Sequence, residues 1–286
     1  MKSDLECLAC LFKQALNTVK IVTKDKAIQR EVLNRVSDEI RRVDLTLSPA
    51  EISTTVYRIV SDVTGVEDPY KQIKEQTNRE ALRMIPELKK IVADSDDSLD
   101  AAMRLAVAGN VIDIGIGHEY DLKEDILHIL HAPFAINDFK SFKTELQPGR
   151  KLLYLGDNSG EIVFDRVFIE ELLKKRVNIT FVVKSGAIIN DALMEDARTT
   201  GITDLVPVME TGSNDIGINF KHAGKTFINE FENADLILAK GHGNFETCSG
   251  LPYNMYFLLK SKCNVVANEL CVNKGDIVFK HQSIMR

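Results

Sequence analysis

The spacing of hydrophobic and polar positions divides the chain into two parts. Up to about residue 149, apolar residues return every three or four positions, as in AIQREVLNRVSDEIRRV at 27–43, which is typical of amphipathic helices. No alternating strand pattern interrupts this part. The pattern therefore predicts an all-helical N-terminal domain over residues 1–149.

One helix in this part carries recognisable signals at both of its ends. Ser48 suits an N-cap, Pro49 the first helical position and Glu51 the capping-box partner, while Gly65 suits the C-terminal cap. A longer helix is expected in YKQIKEQTNREALRMIPELKKIVADS, and Pro86 is expected to kink or divide it.

From residue 150 the pattern changes to apolar runs that alternate with helical segments. The predicted strands are KLLYLGD, NITFVVKSG, DLVPVME, DLILAKG, CNVVANE and DIVFKH. The last two are joined by a short Asn-Lys-Gly turn, so they are predicted to form an antiparallel hairpin at an edge. Strand and helix alternation predicts an α/β domain over residues 150–286, with a Rossmann-like, mostly parallel sheet and helices on both faces.

Composition narrows the class of protein. With 44% hydrophobic and 27% charged residues, the chain resembles an ordinary globular protein, and the acids behind its net charge of −6 are spread along it. We therefore expect no nucleic-acid partner, since such a protein would carry a basic patch. No apolar run is long enough for a membrane span, and MKSDLECLAC lacks the features of a signal peptide, so a cytoplasmic protein is expected.

Unusual polar residues follow three of the predicted strands. Asp157 and Asn158 follow the first, Asp191 follows the second, and Lys240 ends the strand in LAKGHGNFE. Because parallel strands present their carboxyl ends at one edge, these side chains are expected to meet in a crevice there. The alternative for any one of them is a turn residue, and Asp191 could simply cap the next helix.

Such a crevice would suit a phosphoryl group. Two carboxylates and an amide oxygen are hard ligands that suit Mg²⁺ or Mn²⁺. The helix beginning at SGEI offers its positive end to an anion, and Lys240 adds a point charge suited to phosphate. Hydrolysis of a phosphate monoester by metal-assisted charge neutralisation is the natural inference.

Other motifs can be compared with the same segment. A haloacid-dehalogenase phosphatase would need an aspartate where Ser159 stands, and GHGNFE lacks the last glycine of a dinucleotide fingerprint. Two alternatives stay open. One is a carboxyl methyltransferase that uses S-adenosylmethionine, and the other is a non-catalytic protein that binds a phosphometabolite.

Four segments in the same order resemble one family. GDNSGE, SGAIINDA, AKGHGNFE and AGNVID at 108–113 are similar to the damage-control phosphatases, known as domain of unknown function 89. The resemblance covers nearly the whole chain, and CLAC resembles the short microbial branch, whose members begin with Cys-x-x-Cys. It implies phosphatase activity on small phosphorylated metabolites, with Mn²⁺, Co²⁺, Ni²⁺ or Mg²⁺ as the metal.

The resemblance also implies roles for individual residues. It places the metal on Asp157, Asn158 and Asp191, and makes Asp157, Asp191 and Lys240 the catalytic group. The implied substrate-binding residues are Asn110, Asp113, Glu161, Lys184, Asn244 and Glu246. Lys184 replaces an expected arginine, Ala187 a usual proline and His242 a common glutamine, so the edge that contacts the anion departs from the family pattern.

Some questions stay open at this level. Cys7 and Cys10 lie three apart in a helical pattern and could be half of a metal site, a redox pair or buried apolar residues. His118 could enter the cleft from the helical part, whereas His128 and His131 fit an ordinary helix. The nucleophile could be a metal-activated water or Asp157 itself.

Overall fold

A computed structural model describes residues 1–111 and 129–282, without the side chains of residues 110 and 111. Its first helices follow the predicted pattern closely. Ser48 accepts the Glu51 N–H, the Glu51 carboxylate accepts the Ser48 N–H, and Gly65 takes φ +70°, so both helix ends are confirmed. The helices are α1 (Leu5–Val22), α2 (Lys26–Ile40), α3 (Pro49–Thr64), α4 (Lys71–Ala93) and α5 (Ser98–Val111). Pro86 lies inside α4 and does not divide it.

The second part alternates strands with helices. The strands are β1 (Phe134–Asn137), β2 (Lys151–Leu155), β3 (Asn178–Val183), β4 (Val208–Glu210), β5 (Leu236–Lys240), β6 (Met255–Lys260) and β7 (Ile277–Gln282). The helices are α6 (Phe139–Glu145), α7 (Glu161–Leu173), α8 (Met194–Thr199), α9 (Lys225–Glu232), α10 (Gly241–Cys248) and α11 (Asn264–Leu270). None of the described helices is long and apolar enough to cross a membrane.

The described strands form one sheet in the order β1-β7-β6-β5-β2-β3-β4. All neighbouring strands are parallel except β6 and β7. Alternate residues of β2 enter two different apolar clusters, Leu152 and Tyr154 on one face and Leu153 and Leu155 on the other. The predicted mostly parallel sheet with helices on both faces is therefore confirmed.

Three predictions about the elements are wrong. CNVVANE is not a strand, because Cys263 caps α11 and Val266 and Leu270, one turn apart, are buried. The antiparallel partner of β7 is β6, whose unbroken apolar sequence reflects burial on both faces and lacks strand alternation. Neither strand is an edge, since β1 pairs with β7 and lies within the part predicted to be all helical.

The N-terminal helices pack in two ways. Helices α1, α2 and α3 share an apolar cluster of their own, which includes Leu11, Val32 and Val56. Helices α4 and α5 instead join the cluster on one face of the sheet, where Ala81 and Met103 pack with Phe164 of α7. The proposed division at residues 149 and 150 stays a prediction, although β1 and these contacts connect the two parts closely.

Strand order creates a crevice at the carboxyl ends. From β2 the chain proceeds to β3 and β4 on one side, and then returns to β5 and β6 on the other side. The order of the strands thus reverses between β2 and β5, and ligands bind in open α/β sheets at such a position. Asp157, Asn158 and Asp191 all follow strands at or beside it, and Lys240 ends β5.

Candidate active site

The loops after β2 and β3 are joined by backbone hydrogen bonds. The Ala192 N–H donates to the Asp157 carbonyl at 2.9 Å, and the Ser159 N–H donates to the Asn190 carbonyl at 2.8 Å. Asn158 and Asp191 also form an isolated antiparallel bridge. The structure therefore brings the three predicted metal ligands together, although they come from different loops.

The loop after β5 approaches the same carboxylate. Gly241 has φ +78°, and a Cβ atom built on it would lie 1.9 Å from Asp157 Oδ2. Any side chain at this position would displace the carboxylate, so the glycine is required by close approach as well as by its backbone conformation. Asn244, one turn along α10, donates to the Gly156 carbonyl at 3.1 Å and to the Lys240 carbonyl at 2.8 Å. Asn244 thereby joins the ends of β2 and β5.

The site groups acidic side chains in a position that is shielded from solvent. Desolvation, followed by the charges of Glu161 and Asp191, raises the pKa of Asp157 well above its usual value. Desolvation also raises the pKa of Asp191 to about 6, although the charge of Lys184 opposes it. Asn158 donates its amide to Asp157 at 3.1 Å and to Glu161 at 2.7 Å. The carboxylates are thus grouped where a cation would be stabilised.

The donor set fits a hard divalent ion. Carboxylate oxygens and an amide oxygen are the ligands that Mg²⁺ and Mn²⁺ prefer, and the mutual repulsion of the acids favours a bound cation. Across residues 1–111 and 129–282, no three His, Cys, Asp or Glu side chains are arranged to hold a metal ion. The predicted ligand set does not belong to this class, because one of its three members, Asn158, is an amide.

The capping alternative for Asp191 is excluded. Helix α8 has Leu193 as its N-cap, and the Leu193 N–H donates to the Asp196 carboxylate at 2.8 Å. Asp191 lies two residues before that cap and is 6% exposed. A buried acid without a capping role is consistent with ligand binding.

Lys240 makes contacts that the sequence does not predict. Its ammonium is fully buried, donates to Asp165 Oδ1 at 2.6 Å and to the Ala106 carbonyl at 2.8 Å. Tyr154 donates to the same Asp165 oxygen at 2.7 Å. In this structure the ammonium therefore faces helices α5 and α7, and its contact with phosphate stays a prediction.

Three other predicted substrate-binding residues, Lys184, Asn244 and Glu246, are buried. Lys184 is buried, donates to the Gly217 carbonyl and lies 3.8 Å from Asp191 Oδ1. The Asn244 Oδ1 atom is buried and makes no hydrogen bond. Burial raises the pKa of Glu246 to about 7, opposed mainly by a hydrogen bond from the Ala50 N–H at the start of α3.

The AGNVID segment can be placed only in part. Gly109 of α5 lies against α7, since a Cβ atom built on it would be 3.1 Å from Glu161 Cα. The end of α5 is therefore beside the site, but the side chain of Asn110 is not described. Asp113, His118 and His128 lie outside the described residues.

Several residues near the site were missed by sequence reasoning. Asn78 accepts the Gly160 N–H at 2.6 Å and donates to Asp196 at 2.6 Å, so it fixes the loop at the start of α7. The charge of Lys74, one turn earlier on α4, lowers the pKa of Asp191. Lys74 and Asn78 lie four residues apart on one face of α4, and this spacing was the signal that the sequence offered. Polar residues on an amphipathic helix ordinarily mark its solvated face, so the sequence alone did not single them out.

Similarity to a known protein family extends over nearly the whole chain. The sequence profile described as the damage-control phosphatase ARMT1-like domain matches residues 3–278. The chain belongs to this family. Its assignment to the short microbial branch through Cys7 and Cys10 stays a prediction.

Relatives of known name cover almost the whole chain. "Damage-control phosphatase PH1575" of Pyrococcus horikoshii is 33% identical and matches 97% of each chain. A protein of Archaeoglobus fulgidus named "Damage-control phosphatase" is 34% identical over 98% of this chain and 99% of its own. The crystal structure of the Pyrococcus protein, described as a DUF89 family protein, has a TM-score of 0.92 at 32% identity. It covers 98% of this chain and 99% of that one.

Proposed function

We propose that the protein is a metal-dependent phosphatase that hydrolyses phosphate monoesters of small metabolites. The observation that carries this proposal is the meeting of Asp157, Asn158 and Asp191 at the point where the strand order reverses. The names of the Pyrococcus and Archaeoglobus relatives support the same activity. Sugar phosphates and damaged or overflow phosphometabolites are the proposed substrates.

The three residues would hold one divalent cation through their side-chain oxygens. When bound, such an ion polarises a phosphoryl oxygen and neutralises charge. Mn²⁺, Co²⁺, Ni²⁺ and Mg²⁺ are the proposed ions, and the donor oxygens suit Mg²⁺ and Mn²⁺ well.

The chain's own residues supply position and charge. Asn158 holds Asp157 and Glu161 by its amide, and Gly241 leaves room for the Asp157 carboxylate. Lys184 lies 3.8 Å from Asp191 and offsets part of the acidic charge, which would otherwise repel a phosphate. In this proposal Asp157, or a water molecule beside it, forms the new bond to phosphorus as the ester P–O bond breaks, and the leaving alkoxide takes a proton from water. With Asp157 as the nucleophile, a water molecule then hydrolyses the phospho-aspartate and releases inorganic phosphate.

The test is phosphate release from a panel of phosphometabolites with each of the four metals in turn. Asp157→Ala and Asp191→Ala should reduce turnover by at least about 100-fold, the usual effect of losing a group that stabilises the transition state. Both should also weaken Mn²⁺ binding in calorimetry. Asp96→Ala, an exposed acid after α4, is the control and should behave as wild type.

Two results would redirect the proposal. Variants that turn over as fast as wild type would show that the site is misplaced. Tight binding of S-adenosylmethionine without metal would favour the methyltransferase alternative instead.

Trapping of a phospho-aspartate on Asp157 would identify it as the nucleophile, and its absence during turnover would favour water.

A further inference from the structure

Helix α4 carries polar side chains on its inward face. Lys74, Thr77 and Asn78 are buried there, and the same helix contributes Ala81 and Leu88 to the apolar cluster on one face of the sheet. The inward face of an amphipathic helix is ordinarily apolar. A buried amide without hydrogen-bond partners would be costly, so the partners of Asn78 show what this residue does.

Asn78 connects the starts of two helices. Its Oδ1 atom accepts the Gly160 N–H at 2.6 Å, and its Nδ2 group donates to Asp196 Oδ1 at 2.6 Å. The other carboxylate oxygen, Asp196 Oδ2, accepts the Leu193 N–H at 2.8 Å. Gly160 and Leu193 are the N-caps of α7 and α8. The buried side chains of Asn78 and Asp196 thus form a continuous chain of hydrogen bonds between these two helix starts.

The two helix starts end the loops that carry the predicted metal ligands. Asn158 lies two residues before Gly160, and Asp191 lies two residues before Leu193. The loops also meet at the ligands themselves, through the bridge between Asn158 and Asp191. Helix α4 touches the first loop directly, since a Cβ atom built on Gly160 would lie 3.1 Å from Thr77 Cβ. The hydrogen bonds of Asn78 and Asp196 therefore join the two loops at a second place.

Stability alone does not require polar side chains at these two positions. Replacing both members of a buried hydrogen-bonded pair by apolar groups of the same shape can be nearly neutral for stability. A satisfied network of buried hydrogen bonds adds a defined distance and direction between the groups that it joins. A metal site needs this property when its ligands come from separate loops.

We propose that Asn78 is a positioning residue of the candidate active site. It acts through Asp196 and the two helix starts, and it fixes the separation of the Asn158 and Asp191 side chains. The inference rests on the proposed metal-dependent function, and it adds a residue of α4 that sets the affinity of the site for its cation.

The first test removes the amide. Asn78→Leu should raise the Kd for Mn²⁺ in calorimetry by about 10-fold or more, the usual effect of losing a group that orients metal ligands. Hydrogen exchange without metal measures the loops themselves. Peptides that cover residues 157–161 and 190–194 should exchange faster in Asn78→Leu than in wild type, because both helix starts lose a connection.

The second test exchanges the two partners. Asp196→Asn alone should weaken Mn²⁺ binding, because its amide can accept only one of the two N–H groups that now bind Asp196. Adding Asn78→Asp reverses the roles. The new carboxylate can accept the Gly160 N–H and the new amide, whose oxygen accepts the Leu193 N–H. The double variant should therefore regain the wild-type affinity for Mn²⁺ and the wild-type exchange of both peptides.

Gln29→Leu is the matched control. Gln29 is another buried amide of an N-terminal helix and donates to the Thr23 carbonyl at 2.8 Å, but it lies on α2. The variant should lower the temperature of thermal unfolding and keep the wild-type Kd for Mn²⁺.

The outcomes separate this inference from the proposed function. If Asn78→Leu folds and keeps the wild-type Kd, as Gln29→Leu should, Asn78 has a structural role only. If Asn78→Leu does not fold, equal Mn²⁺ affinities of Asp196→Asn and the double variant would overturn the positioning role. A wild-type protein that binds Mn²⁺ but hydrolyses no phosphomonoester would refute the proposed function, and the Mn²⁺ affinities would still decide the role of Asn78. A wild-type protein that binds none of the four ions would overturn both.

Discussion

The Lys240 ammonium and the Asp165 carboxylate lie 2.6 Å apart, and neither side chain has any exposed surface. Tyr154 and the Ala106 carbonyl complete the group, which connects β5 to helices α5 and α7. Two charges removed from water are costly unless each has its partner. This pair therefore connects β5 to two of the helices that pack on the sheet.

Replacing Asp165 by leucine should be strongly destabilising. The change leaves the Lys240 charge buried without a partner, and we expect the free energy of unfolding to fall by about 3–5 kcal/mol. Urea denaturation measures it. Lys89→Met on α4 is the control, because Lys89 is a partly exposed lysine paired with Glu170, and it should cost at most about 1 kcal/mol.

The double variant Lys240→Met with Asp165→Leu should regain much of that loss, because both charges are removed together. It also tests whether Lys240 contacts phosphate. If the folded double variant keeps the wild-type inhibition constant for inorganic phosphate, the predicted phosphate contact is wrong and Lys240 has a structural role.

Gly241→Ala should strongly reduce phosphate release. The new methyl group would meet the Asp157 carboxylate, and alanine is also disfavoured at φ +78°. We expect weakened Mn²⁺ binding in calorimetry and at least about 100-fold lower turnover, as after a small misplacement of a catalytic group.

Gly250→Ala separates those two effects. Gly250 has φ +84°, but no atom lies within 4 Å of the place that a methyl group would take, so alanine there has the backbone cost alone. It should lose about 1 kcal/mol of stability and keep its activity. Equal activity losses in both variants would exclude displacement of Asp157 as the cause.

The stability of the protein should depend on pH through Glu246. Its pKa is raised from 4.5 to about 7 by burial, so the folded state prefers the neutral acid. This contribution is fully present below pH 4.5 and is lost as pH rises through 7. Glu246→Gln, which keeps an acceptor for the Ala50 N–H, should be more stable than wild type above about pH 7.

The gain should reach no more than about 3.5 kcal/mol, since each pKa unit between 4.5 and 7 corresponds to about 1.4 kcal/mol. Denaturation at about pH 5 and about pH 8.5, on either side of the transition, measures it. Glu75→Gln, at an exposed acid of α4, is the control measured at the same two pH values. A gain for Glu246→Gln that is equal at both pH values would contradict the assignment.

Removing the metal should lower the stability of wild type more than that of Asp191→Asn. Without a cation, Asp157, Glu161 and Asp191 repel one another, and the variant removes one of these charges. At a Mn²⁺ concentration about 100 times Kd, wild type should gain about 2.7 kcal/mol. The variant should be the more stable protein in EDTA and gain little from Mn²⁺, which thermal unfolding with and without the metal would show.

Much of the fold could be predicted from local patterns in the sequence. The cap residues Ser48 and Gly65 act through neighbours in sequence, so their roles were visible before any tertiary contact was known. The segment at 263–269 was predicted as a strand but forms part of a helix, and the strand at 255–260 was not predicted. Both are short apolar runs, in which helix and buried strand have no distinguishing period.

By itself the sequence determined which residues leave buried strands, and so it placed Asp157, Asn158 and Asp191 at the carboxyl edge of a parallel sheet. Only the tertiary structure decided that β5 lies beside β2 and that Lys240 turns to Asp165. The physical reason is the separation along the chain between the residues that interact. Caps, turns and strand ends are fixed by bonds between near neighbours, whereas strand order and buried ion pairs depend on which distant surfaces pack together.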